Sequence, residues 1–334
     1  MLFRSRVDKS GLILMAIGFL SLQLFLDQGE RNEWFESWLI WTLGTLAITA
    51  LLAFLFRELT ADEPILDLTV YADRNFAAGS FIMFVMMTGF YSSMVLLALF
   101  TQKVLGYDAW TSGLVLAPGG VGNLLSLLIA GRLAIRMDQR ILLAIGCLLN
   151  AASTWWMSEV TISIDYWSLA WPRFVQGMGV GFVFVPLNTV ALANIPREKM
   201  GNATSLVNVV RNLGGGIGVA LMATLLARRG QAHQTALVGH LQVGDPETNE
   251  RLRMWTNHFV AQGSDPFTAQ KRAIGALYHE VTQQAQLLAV ADVFFLLLIL
   301  FCSTLLFLPM LRRVRAPART VARRDEAPAP IHAE

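Results

Sequence analysis

Apolar runs of about twenty residues, the length needed to cross a bilayer core, recur along this chain. Eight can be marked, over residues 11–26, 38–56, 76–100, 111–133, 141–157, 169–194, 202–227 and 287–311. In hydrocarbon every backbone N–H and C=O must be satisfied within the protein, so single runs of this length become helices. The expected fold class is an all-α membrane protein with eight transmembrane helices. Only 15% of the 334 residues are charged, and mean hydropathy is +0.51. A soluble domain carries about 25% charge. Residues 11–26 have the look of a signal peptide, but the sequence continues as FLDQGE without a small-x-small cleavage site. A retained helix is expected.

Charge placement sets the expected orientation. With an inside N-terminus, the cytoplasmic segments hold sixteen Lys and Arg, and the short outer loops hold three, at Arg31, Lys103 and Arg173. Loops rich in Lys and Arg stay on the cytoplasmic side. Both termini are therefore expected in the cytoplasm. Residues 1–10 form a cytoplasmic start, 57–75 a cytoplasmic linker, 228–286 a long outer loop, and 312–334 a basic, disordered tail. Within the outer loop, Leu252, Trp255 and Phe259 recur at helical spacing, as do Ile274, Leu277, Tyr278 and Val281. Two amphipathic helices lying on the membrane surface are expected there. Net charge is +2, too balanced for a nucleic-acid partner. Membrane lipid is the expected surrounding.

No nucleophile–base triad, Walker motif or zinc spacing occurs, so no enzyme, cofactor or metal is expected. His233, His240, His258 and His279 match no common metal motif and read as solvated surface histidines. Cys147 and Cys302 both lie inside apolar runs and do not form a disulfide framework.

The informative stretch runs from Arg173 to Gly218. Gln176 and Asn188 lie on its first helix, and Asn208, Arg211 and Asn212 on its second. Lipid penalises such groups, so they should face protein or a water-filled path. These five are the candidate cavity-lining residues. Gly214, Gly215 and Gly218 allow close helix approach. Pro118, Gly119 and Gly120 sit inside the fourth run, and Pro186 inside the sixth; each is a candidate packing or gating position. Arg211 lies roughly 13 Å along its helix, close to the midplane. Asn208 and Asn212 can solvate it in part. Asp292, about 8 Å in, is the carboxylate of this chain placed in the same bundle, with cavity water or a carboxylate from a missing half as the alternative partner of Arg211.

Several motifs are similar to those of EmrB/QacA-type drug exporters, the fourteen-helix branch of the major facilitator superfamily. They include LQLFLDQGE with WFES, ELTADEPILDLTVYADRNFAAGS, QKVLGYDAWTSGLVLAPGG, WPRFVQGMGVGFVFVPLNTVAL and SLVNVVRNLGGGIGVA. The resemblance implies that residues 11–56 are an inserted helix pair and 76–311 a six-helix C-terminal domain. It implies export of hydrophobic or cationic small molecules in exchange for protons, at a bacterial inner membrane. Arg173, Gln176, Gly177 and Gly179 match the family's R-x-x-Q-G-x-G pattern, which places Arg173, with Asp292, in a proton-coupling or charge network. GRLAIRMDQR resembles a conserved loop of the superfamily but has Ile135 where aspartate is usual and Asp138 where glycine is usual. Met1 falls where the family's seventh helix begins, so the first six helices are expected on a missing N-terminal half or separate chain, and the chain alone is expected to be inactive. A periplasmic adaptor protein is a further expected partner, through 228–286. A non-transporting scaffold or regulatory fragment and a homodimeric transporter remain the alternatives.

Overall fold

Aspartates start most of the helices. In the computed structural model, residues 8–60, 65–162, 164–241 and 245–312 are described. The expected basic start and disordered tail fall largely outside them. Asp73 accepts from Phe76 N at the start of α3 (Arg74–Leu99), and Asp108 from Thr111 N before α4 (Ala109–Leu133). Asp138 accepts from Arg140 N before α5 (Gln139–Ser158). Asp245 and Asp265 do the same for α8 (Pro246–Ala261) and α9 (Pro266–Phe307). A carboxylate satisfies the first free amides and suits the positive end of the helix dipole. The other helices are α1 (Lys9–Gly29), α2 (Trp38–Thr60), α6 (Tyr166–Leu192) and α7 (Met200–Gly239).

Eight of these nine are long and apolar enough to cross a membrane. Only α8 is not. The fold class is all-α, with no strand among the described residues. Helices α1 and α2 form a hairpin that touches the remainder through α1 and α7. Helix α3 sits centrally and packs on α6, α7 and α9. Phe76, Met83, Met86 and Leu97 of α3 are buried with Phe294 and Phe301 of α9 and Leu143 and Cys147 of α5. Surfaces facing lipid carry Leu124, Leu128, Phe295 and Leu306, which need no water to be stable there.

Small residues set the tightest approaches. A Cβ on Gly177 would run into the carbonyl of Gly119, which brings α4 against α6 backbone to backbone. On α7, a Cβ on Gly214 would meet Phe84 O at 2.6 Å, and one on Gly218 would meet Thr88 O. Thr88 Oγ1 donates to Gly214 O at 3.0 Å across the same α3–α7 contact. Gly215 abuts the Tyr91 ring. Gly120 faces open space, whereas Gly119 packs on Arg173 of α6. Helix α4 continues through Pro118, and α6 through Pro186.

The segment expected as an outer loop is mostly helix. The run that reads as 202–227 belongs to a 40-residue α7, and that of 287–311 to a 42-residue α9. Hydropathy reports the solvent a helix meets, not where it ends. At 1.5 Å per residue α9 is about 63 Å long, roughly 30 Å more than a bilayer core. The second expected surface helix is therefore the first half of α9. Its Leu277 and Val281 are buried, in line with Ala269, Ala273 and Ala285 at spacings of four. This stripe packs against neighbours instead of lying on lipid. Helix α8 docks on it, with Trp255 Nε1 donating to Glu280 Oε1 at 3.2 Å.

The opposite end is tied by polar contacts. Arg57 donates twice to Asp8, at 2.7 and 3.0 Å, joining the end of α2 to the start of α1. Lys199 meets Asp67 at 2.6 Å and Thr69 Oγ1 at 2.8 Å. Asn194 donates to Asp73 Oδ2 at 3.0 Å, and Asn202 to Asp67 O at 2.9 Å. The linker before α3 is thereby fixed to the α6–α7 turn. The Arg57 guanidinium holds the Asp8 carboxyl well below the usual range.

Candidate functional site: two arginines within the bundle

Arg173 lies in the second turn of α6, about 10 Å in from Tyr166. It is therefore not a loop residue, as its count among the outer loops implied. It is 3% exposed. Its Nη1 donates to Gln176 Oε1, one turn along the same helix. Gln176 is fully buried, and its Nε2 donates to Ser93 Oγ on α3 at 2.7 Å. Ser93 in turn donates to Phe90 O at 2.8 Å, and the Arg173 guanidinium carbon lies 5.2 Å from the Phe90 ring centroid. Gly119 of α4 leaves room for the arginine stem: a Cβ there would lie 2.8 Å from Arg173 Nε. Three helices thus build the pocket for one side chain.

Among the described residues no carboxylate lies within ion-pair distance of Arg173, and its buried Nε has no partner. A cation at membrane depth costs about 2.5–3.5 kcal/mol by insertion scales. A charged hydrogen bond returns about 1.5–3 kcal/mol, and a desolvated ring face up to about 2. The terms offset each other, so the cation is held in place with a donor left over.

Arg211, midway along the membrane part of α7, is half-buried. Its guanidinium carbon lies 5.9 Å from the Phe184 ring of α6. Helices α6 and α7 otherwise barely touch, both resting on α3. The Arg211 Nε is buried and has no partner among the described residues. Asn188 is one turn beyond Phe184 but spends its amide on Phe184 O at 2.7 Å.

Three expected pairings do not form. Asn208 and Asn212 are exposed and make no hydrogen bond to Arg211 among the described residues. Asn212 instead lines a groove toward α1 with Met15 and Phe19. Position 212 is turned about 100° from 211, so the two cannot share a face. Asp292 pairs with His233 at 2.9 Å and Arg229 at 3.5 Å. Arg229 lies eighteen residues beyond Arg211 on α7, roughly 27 Å along the helix. Asp292 was counted from a helix start at 287; with α9 entering from Pro266, that count no longer sets its depth. His233 is correspondingly not a solvated surface histidine.

Sequence reasoning overlooked Phe90, Ser93 and Phe184. Ser93 is 83 positions from Gln176 and carries no periodic mark of its own. In the loop 134–138, Ile135 is exposed and Asp138 serves as the α5 cap.

The sequence model of the Major Facilitator Superfamily matches residues 10–219. Over 294 residues the chain is 31% identical to the "Multidrug export protein EmrB" of Escherichia coli (strain K12), covering 88% of this chain and 56% of that protein. It is 31% identical over 298 residues to the "Fatty acid resistance protein FarB" of Neisseria gonorrhoeae, covering 89% and 57%. It is 25% identical over 279 residues to the "Colistin resistance protein EmrB" of Acinetobacter baumannii, covering 84% and 54%. The chain spans little more than half the length of these relatives. The family match takes in well over half of the chain, and with eight membrane-length helices beside it this chain is an integral membrane protein that belongs to the Major Facilitator Superfamily.

Proposed function

We propose that these helices form one half of a proton-coupled exporter of hydrophobic or cationic compounds, working across a cavity against a second six-helix half. The observation that carries this reading is Arg173: a buried, oriented guanidinium with an unused donor and no carboxylate partner among the described residues. A transporter places its site between structural repeats, so the counter-charge belongs across that interface. A protonatable carboxylate there would release Arg173 on protonation and capture it on deprotonation. Arg211, against Phe184, sets the field at the facing helix. Relatives named for multidrug export and fatty acid resistance support an apolar or amphiphilic substrate.

The same reading places the chain in a bacterial inner membrane with both termini cytoplasmic, on the excess of Lys and Arg at one end of the bundle. The arm made by α8 and the protruding parts of α7 and α9 then points outward, where it offers a surface to a periplasmic adaptor. Drug-sensitive cells carrying only residues 1–334 should stay sensitive, and co-expression with the six-helix half of a matching exporter should give resistance. In that pair Arg173→Ala should abolish resistance while both chains still reach the membrane. Resistance from residues 1–334 alone, or from the pair with Arg173→Ala, overturns the proposal.

A further inference from the structure

Eight of the nine tryptophans gather at one end of the bundle. Trp34, Trp38 and Trp41 lie between and at the start of α1–α2, Trp110 opens α4, Trp155 and Trp156 close α5, and Trp167 and Trp171 open α6. Tryptophan concentrates at the headgroup level of membranes, so this ring marks the membrane surface on the α8 side. A cavity of about 310 Å³ lies at that level, between α1, the end of α3, α7 and α9. Sites for small ligands start at about this size.

The cavity is built in layers. Leu99 and Leu226 form an apolar wall toward the membrane interior. Gln231, Gln234 and Gln286 add amides to its lining, and Gln234 Nε2 donates to Tyr278 Oη at 3.1 Å. Glu30 and Lys103 stand at the rim with opposite charges, and neither forms an ion pair among the described residues. Lys103 belongs to a π-turn, Phe100–Val104, that breaks the α3 pattern beside the cavity. Leu105 N closes it onto Phe100 O at 3.1 Å, and Gln283 Nε2 of α9 holds Val104 O at 2.9 Å. Such π-turns occur frequently at functional sites.

We propose that this cavity binds the headgroup of a zwitterionic phospholipid of the ethanolamine type. The phosphate lies on Lys103, the ammonium on Glu30, the ester region against the glutamine amides, and one chain along the Leu99–Leu226 wall. The ring of tryptophans argues for a ligand drawn from the membrane surface, and the paired rim charges argue for a zwitterion over an anion. The site is about 15 Å along α3 from Ser93 and stands apart from Arg173. It rests on membrane embedding alone and not on the transport reading.

The test uses the chain 1–334, purified in mild detergent from mixed vesicles of phosphatidylethanolamine and phosphatidylglycerol, with retained lipid counted by native mass spectrometry. One phosphatidylethanolamine should be retained in about tenfold preference. Glu30→Gln should reverse the preference toward phosphatidylglycerol, because the lysine remains. Lys103→Gln should lose both lipids about equally. Both positions are exposed, so an unchanged helical circular dichroism spectrum is expected and controls for folding. Excess tetraphenylphosphonium, a bare apolar cation, should not displace the lipid. Equal retention of the two lipids, variants that behave like the parent, or displacement by the cation overturns the proposal.

Discussion

Gln176 and Ser93 are 83 residues apart, yet the Gln176 amide donates to the Ser93 hydroxyl at 2.7 Å with both side chains wholly buried. The bond fixes the glutamine so that its oxygen points at Arg173. The arginine is therefore aimed from α3, through a residue of its own helix. Gln176→Leu keeps the volume and removes the acceptor. It should destabilise the protein by about 2–3 kcal/mol, the cost of stranding a charged donor. Gln176→Glu should keep or raise stability. Thermal unfolding in detergent, followed by tryptophan fluorescence, separates the two; equal melting would mean that the amide does not anchor the cation.

The glycine contacts predict a position-specific response. Gly177→Ala forces a methyl into the Gly119 backbone, which is not a flexible neighbour, and should cost at least about 1–3 kcal/mol. Gly120→Ala meets open space and should change stability by less than about 0.5 kcal/mol. Similar melting temperatures for these neighbours would contradict the α4–α6 packing.

The two cysteines should label differently. Cys147 is buried under Thr304 of α9, at 3.2 Å, whereas Cys302 is exposed on the lipid side of the same helix. A lipid-soluble maleimide should modify Cys302 in the folded protein and reach Cys147 only after denaturation. A charged, water-soluble maleimide should modify neither. Fast labelling of Cys147 in the native state would place α5 and α9 apart.

The Asp67–Lys199 pair gives an acid-side signature. Lys199 pulls the Asp67 carboxyl down from 3.8 to about 2, helped by Thr69. Its folded pKa is thus below the unfolded one, so its contribution is full above about pH 4 and fades as pH falls toward 2. The pair is partly exposed, which limits it to about 1 kcal/mol or less. Asp67→Asn should lower stability modestly at pH 6, with the difference from the parent closing between pH 4 and pH 2. A difference that grows on acidification would mean the carboxylate is not stabilised by the lysine.

The spans were legible because hydrocarbon demands length and composition together. The ends of α7 and α9 were not, because Arg228 and Gln286 change the solvent without breaking the helix. That one misreading carried Asp292 to the wrong depth and hid its pairing with Arg229 and His233. Arg173 and Gln176 stood out as polar groups in an apolar run. Their partners Ser93 and Phe90 did not, since a buried serine in a helix looks like any small packing residue. The glycines of α7 announced a close approach, but only the fold says that α3 is the helix approached.

Helix α9 runs unbroken from Pro266 to Phe307, with the Ala269–Ala273–Leu277–Val281 stripe clamped to its neighbours. A stiff rod of this kind acts as a lever. If the membrane part rocks by about 10°, a tip some 30 Å beyond the bilayer sweeps on the order of 5 Å. Helix α8 rides on that tip through Trp255 and Glu280. A tilt of α9 within the membrane would thus be readable beyond it as the swing of an arm, without any loop having to reorder.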